Sequence, residues 1–367
     1  MTPRERVLAV LKGDKADRVP WFGDLDYYAS GLIARGRKPK DFKQRQEYLD
    51  WHRELGVGFY QQAYFPYREI IDTCEVREWS EGDSRYREIR TPEGTLRECW
   101  KWSDLTSSEA PVERLLKTVR ELPAYRYRFA HTRYEPDYAL AKKRAGQVGD
   151  IGLVMCFLPW SPLMRMVVMD SGIENVVIIR ADAPEEFEAT IRAVKESLDR
   201  ASQVAVESPA EVLMITENLS SEVVGRSFFD QYLRDSYTEW SGKILAAGKF
   251  SCIHMDGTLA GLLRQVSAIG FSFIEAMTPK PVGDLAVVEW ARCRGGSRTI
   301  YWGGIPGVYF TAAVSDGEFD RHVREVLAVM REDRRMVLCV ADQVPPDGLE
   351  GRIRRVGELV EKFGAYP

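Results

Sequence analysis

The sequence predicts an α/β protein built on a (β/α)8 barrel with an inserted β-meander. Three observations predict it. Eight short apolar runs punctuate the 367 residues: RVPWFGD, GVGFYQQ, IGLVMCF, VLMITEN, KFSCIHMDG, FSFIEAMTP, TIYWGG and MVLCVADQ. Long helical patterns separate most of them, the alternation expected when each buried parallel strand is followed by a helix returning over the sheet. Nearly every run also ends in a polar residue fit for chemistry, and in such a barrel the C-terminal strand ends form the active-site mouth.

The elements follow in order. Residues 2–13 read as a helix, with Thr2 as its cap and Pro3 in its first turn. RVPWFGD gives strand one, residues 42–55 a helix, and GVGFYQQ strand two. From Val76 to Trp102 polar and bulky residues alternate, interrupted by the turn signals EGD and TPEG, which predicts the antiparallel meander beside the mouth. Helical patterns near 111–120 and 134–146 precede strand three. Further helices are expected around 184–205, 227–246, 258–268, 284–294 and 316–331, each leading into the next apolar run, with a closing helix from Leu349 to Phe363. No repeat or flexible linker interrupts this pattern, so residues 1–367 are expected to form a single domain.

The composition narrows the function. Hydrophobic residues make up 45% and charged residues 29% of the chain, an ordinary globular balance. A net charge of −4 offers no basic field for nucleic acid. The charged amphipathic start is unlike a signal peptide, and no apolar run approaches the ~18 residues of a membrane span. The six cysteines are scattered without a CxxC pair, which predicts reduced thiols and a cytoplasmic setting.

The residues that carry chemistry come from separate strand ends. His254 and Asp256 in His254-Met255-Asp256-Gly257 are two apart, so an extended backbone points both to one side. Glu217 and Asp342 each follow a run of apolar residues, where an acid needs a cation, a hydrogen-bond network or a metal. One histidine with carboxylates from other strands meets the ligand inventory of zinc, and suits other divalent ions nearly as well. Glu217, His254, Asp256 and Asp342 are therefore the expected metal ligands. Asp24 and Glu275 are the catalytic candidates at the same mouth, and Glu275, in the loop after the sixth run, is open to the roles of ligand, base or substrate anchor. Trp21, Asn218, Trp160 and Arg165 are the expected substrate contacts. Phe22, Tyr27 and Tyr28 add to an aromatic wall suited to a small apolar substrate. The glycines of GGIPG, 303–307, would allow close backbone approach to a ligand.

The order of these motifs resembles the uroporphyrinogen decarboxylase superfamily. The resemblance runs through MTPRERVLAVLKGDKADRVPW, TENLSS, GKFSCIHMDG, the Glu275 loop, GGIPG and VLCVADQVPP, and covers most of the chain. It implies a (β/α)8 barrel. True uroporphyrinogen decarboxylases carry an arginine-rich element after the first strand. Here that position reads WFGDLDYYASG, whose acids would repel a polyanionic substrate. The chain is closer to the zinc-dependent corrinoid methyltransferase branch, with Asp256 and Asp342 standing where that branch has cysteines. The resemblance thus implies a metal-dependent methyltransferase that moves a methyl group between a small methylated substrate, methoxylated compounds included, and a corrinoid held by a partner protein. The rival expectations are a metal-free decarboxylase or lyase, with Asp24 as the acid that stabilises a protonated intermediate, and a non-catalytic ligand-binding barrel.

Overall fold

A computed structural model describes residues 1–60, 64–104 and 108–367. Its thirteen strands are β1 (Trp21–Phe22), β2 (Tyr67–Ile71), β3 (Glu75–Glu81), β4 (Ser84–Thr91), β5 (Gly94–Ser103), β6 (Ser108–Glu113), β7 (Thr132–Pro136), β8 (Met155–Leu158), β9 (Val212–Ile215), β10 (Phe250–His254), β11 (Phe273–Met277), β12 (Ile300–Pro306) and β13 (Met336–Ala341). Seven of them form one parallel sheet in the order β1-β13-β12-β11-β10-β9-β8. Every residue of β9, β11, β12 and β13 is buried, as expected when helices cover one face and the other lines a filled interior.

The described part of the second apolar run, residues 56–60, makes isolated bridges in place of a strand. It sits between the two edges of the sheet and bonds to both. Gly58 N donates to Trp21 O at 3.0 Å, Phe59 N to Ile151 O at 3.0 Å, and Leu153 N to Phe59 O at 2.9 Å. The curl therefore returns on itself and the architecture is TIM-like. Gln61 and Gln62, the end of that run, lie outside the described residues. The close approach explains Gly152: a Cβ there would lie 1.7 Å from Phe59 O. Gly152→Ala is expected to cost about 2 kcal/mol through forced backbone displacement, seen as a lower urea midpoint at unchanged slope.

The helices follow their apolar faces. Thr2 and Glu5 close a capping box at the start of Pro3–Lys12, and Gly13 ends that helix in the left-handed conformation. Asp316–Glu332 buries Phe319, Val323, Val326, Leu327 and Met330, a single stripe at helical spacing. Residues 111–120 and the start of 134–146 depart from expectation. They supply β6 and β7 in place of helix, and the helix itself runs Ala139–Gln147. β3, β4, β5 and β6 form a separate antiparallel sheet in sequential order, and β2 pairs with β7. Cross-strand pairing decides these segments: Pro111 faces Trp100, and Arg133 faces Ile70. None of the six cysteines is in a disulfide. No helix among the described residues is long and apolar enough to cross a membrane.

Candidate active site

The chemistry gathers at the C-terminal ends of the parallel strands because of register. β10 and β11 run side by side with His254 opposite Glu275. Nδ1 of His254 lies 2.7 Å from Oε2 of Glu275. The other oxygen of Glu275 accepts a 2.7 Å hydrogen bond from the Tyr60 hydroxyl. On its far side, Nε2 of His254 is 3.6 Å from Oδ1 of Asp342, close enough for ionic attraction but too long for a direct hydrogen bond. His254 and Asp342 both line a cavity of about 370 Å³. Asp24 and Asn218 share its polar wall, and Phe157, Trp160, Met214 and Tyr27 form its apolar side.

The electrostatics are those of an acid-rich pocket around one imidazole. Burial disfavours charge on His254, but attraction to Glu275, its hydrogen bond and the nearby Asp256 and Asp342 prevail, raising its pKa to about 10. Burial also raises Asp24 well above the usual carboxylate range, reinforced by Asp26, Glu275 and Asp342 and opposed by the backbone N–H of Asp26. Asp342 is raised by burial, against the pull of His254. The site thus sets an imidazole held toward its protonated form beside acids whose pKa values burial raises, an arrangement suited to proton donation. No lysine or arginine is among the described residues that line the cavity.

Two of the lining residues carry backbone strain. Asn218 has φ 47° and Asp342 φ 63°, in the left-handed region that asparagine and aspartate tolerate better than most residues. Such conformations concentrate where a side chain must be aimed at the cost of local stability.

Several expected site residues are placed elsewhere. Glu217 is fully buried, but its carboxylate accepts hydrogen bonds from Ser161, at 2.6 Å from the backbone N and 3.0 Å from Oγ, and it does not line the cavity. Asp256 reaches His254 only through its charge. Among the described residues no group of three or more His, Cys, Asp or Glu side chains is placed to hold one ion. The four expected zinc ligands therefore do not converge, and the residues present do not fit a resident zinc with three protein ligands. Trp21 stacks on Phe310 in the core, ring centroids 6.5 Å apart, and is not part of the cavity wall. Tyr28 stacks on Trp51, and Phe22 packs edge-on against Trp302. Arg165 is spent on Asp170 at 2.8 Å and lies over the Trp160 ring, so it supports the wall from behind. The GGIPG glycines serve chain packing in place of a ligand: a Cβ on Gly303 would lie 2.3 Å from Met277 O, and one on Gly307 2.9 Å from Gln343 O.

Sequence reasoning passed over Tyr60, Phe157, Met214, Thr216 and Gln343. Phe157 and Met214 sit in β8 and β9, where an apolar residue reads as core. Thr216 and Gln343 adjoin the singled-out Glu217 and Asp342, so a wider window at each strand end would have found them.

No protein-family model matches the chain, and no curated protein is significantly similar to it. Among solved structures, the chain resembles a methyltransferase from Methanosarcina mazei, at 12% identity and a TM-score of 0.63, over 99% of both chains. It also aligns with a nitroalkane oxidase from Streptomyces ansochromogenes at 13% identity, over 56% of this chain and 53% of that one, but the TM-score of 0.28 supports no argument. Across nearly its whole length, then, this chain shares the fold of the Methanosarcina mazei methyltransferase.

Proposed function

We propose that this protein is a methyltransferase acting on a small, uncharged methoxylated substrate, with His254 as the general acid. The observation that carries the reading is the His254–Glu275 pair, whose second imidazole nitrogen faces the cavity. The likeness in fold to the Methanosarcina mazei methyltransferase supports the reaction class. A corrinoid carried by a separate protein would supply the methyl-accepting nucleophile, as the superfamily resemblance implies. As the methyl–oxygen bond breaks, its electron pair stays on the departing oxygen, which takes the Nε2 proton of His254. The products are the transferred methyl group and a free hydroxyl, and His254 regains its proton from solvent. Glu275 holds the ring charged and oriented. Phe157, Trp160 and Met214 exclude water from the apolar part of the substrate. Zinc has no assigned role, because among the described residues no three of its expected ligands are placed to hold one ion.

A metal-free carboxy-lyase is the second reading, favoured by the placement of Asp24. This buried acid lines the same cavity and is held toward its neutral form, ready to protonate an intermediate. Against it, His254 is the only basic residue among the described lining residues, facing two aspartates, so a carboxylate substrate is poorly accommodated.

The test incubates purified protein with reduced cobalamin and a panel of methoxylated aromatics, with and without a chelator. Methylcobalamin and the demethylated hydroxyl product should form in equal amounts and survive chelation. Carbon dioxide release from small carboxylic acids without any methyl transfer would select the lyase instead.

A further inference from the structure

Glu275 has a second partner, Tyr60, supplied by the segment that joins the two edges of the sheet. We infer that Tyr60 is a positioning residue: its hydroxyl fixes one oxygen of Glu275 so that the other holds His254 with Nε2 toward the cavity. The inference rests on the acid role proposed for His254.

The geometry is specific. Tyr60 is completely buried, its ring set 4.9 Å from Trp302 and 6.3 Å from Phe22, so its hydroxyl has little freedom. A phenol has one O–H to donate, and Tyr60 gives it to Oε1 of Glu275 at 2.7 Å. The Cys339 sulfur, 3.4 Å away, is then left to donate its weak S–H to the phenol oxygen. Burial raises the phenol well above its ordinary pKa, so the O–H persists at any working pH. Glu275 is thereby gripped at both oxygens, by Tyr60 and by His254, and its carboxylate cannot rotate without losing one of two short bonds. The imidazole inherits that orientation. Such outer partners commonly set the tautomer and aim of a working histidine. Tyr60 does not line the cavity, so it acts on the reaction through Glu275 and His254 and makes no contact with substrate.

The experiment compares wild type, Tyr60→Phe, and protein carrying 3-fluorotyrosine at position 60, a stronger donor of nearly the same shape. Three quantities are measured: the proton resonance of His254 Nδ1–H, the melting temperature, and steady-state transfer from a methoxylated donor to free reduced cobalamin. The chain has four histidines, and the resonance is assigned by its loss in His254→Asn. In Tyr60→Phe the resonance should move downfield, because a carboxylate with one donor fewer pulls harder on the imidazole proton. kcat should fall about 10–100-fold, the worth of a hydrogen bond to a charged group, with KM changed less than about twofold. The fluorinated protein should move the resonance upfield, which keeps the test decisive even if the phenylalanine variant folds poorly. An unmoved resonance in both proteins, with only the melting temperature lowered, would reduce Tyr60 to a structural residue and overturn the inference. Absence of transfer in wild type would defeat the proposed reaction, and the resonance would still decide the role of Tyr60.

Discussion

Replacing His254 by asparagine is expected to lower methyl transfer about 10³-fold while leaving substrate affinity nearly intact. The magnitude is that of a positioned general acid removed from its transition state. Asparagine is the informative choice because its side-chain N–H can take the place of Nδ1. Glu275 then keeps a donor in a site where an abandoned carboxylate would destabilise the protein. Only Nε2, the nitrogen facing the cavity, is lost. With the His254 pKa raised to about 10, wild-type kcat should be flat across neutral pH and decline toward pH 10 as the imidazole gives up its proton. The same displacement favours the folded state. A histidine raised above its ordinary 6.5 contributes stability that is fully present below that pH and is lost as pH rises through about 10. Transfer at wild-type rates in His254→Asn would remove the acid from the mechanism.

The barrel strands were legible because buried parallel strands leave a strong mark: short apolar runs, regular spacing and polar endings. His254, Asp24 and Asp342 were legible for the same reason, since each closes or follows such a run and the fold delivers strand ends to one mouth. What the sequence did not reveal was direction. Glu275 read as a loop acid open to several roles, and only the pairing of β10 with β11 makes it the partner of His254. Tyr60 is an aromatic residue in an apolar run, and nothing local separates a core ring from one whose hydroxyl meets a carboxylate. Arg165 read as a pocket residue because it follows Trp160, but the helical turn that begins at Pro162 carries it onto Asp170. The helix expected at 111–120 and the start of the one expected at 134–146 gave way to strand because β6 pairs with the neighbouring β5 and β7 with the distant β2, and pairing outweighs local pattern.

Glu217 shows the consequence most sharply, and Glu217→Gln is expected to stabilise the protein by about 3 kcal/mol at pH 8 while leaving catalysis within about twofold. Glu217 closes VLMIT as Asp342 closes VLCVA, and the sequence offered no means of telling the two apart. In the fold, Asp342 turns to His254, whereas the Glu217 backbone bonds back to Ile215 and its side chain meets Ser161. Burial raises its pKa from 4.5 to about 7, although the bonds from Ser161 and the Tyr237 hydroxyl work in the opposite direction. The unfolded chain therefore loses this proton before the folded one does. Stability falls as pH rises from 4.5 through about 7, by about 3 kcal/mol in all. Glutamine copies the neutral acid: its oxygen accepts from the Ser161 backbone and its N–H donates to the Ser161 hydroxyl. The variant should be nearly as stable as wild type at pH 4.5, flat across the window, and clearly more stable at pH 8, all read from urea unfolding. Retained transfer would separate Glu217 from the reacting centre. A loss of transfer approaching that of His254→Asn would return it to the catalytic cluster, and equal pH slopes for the two proteins would show that its proton is not what burial controls.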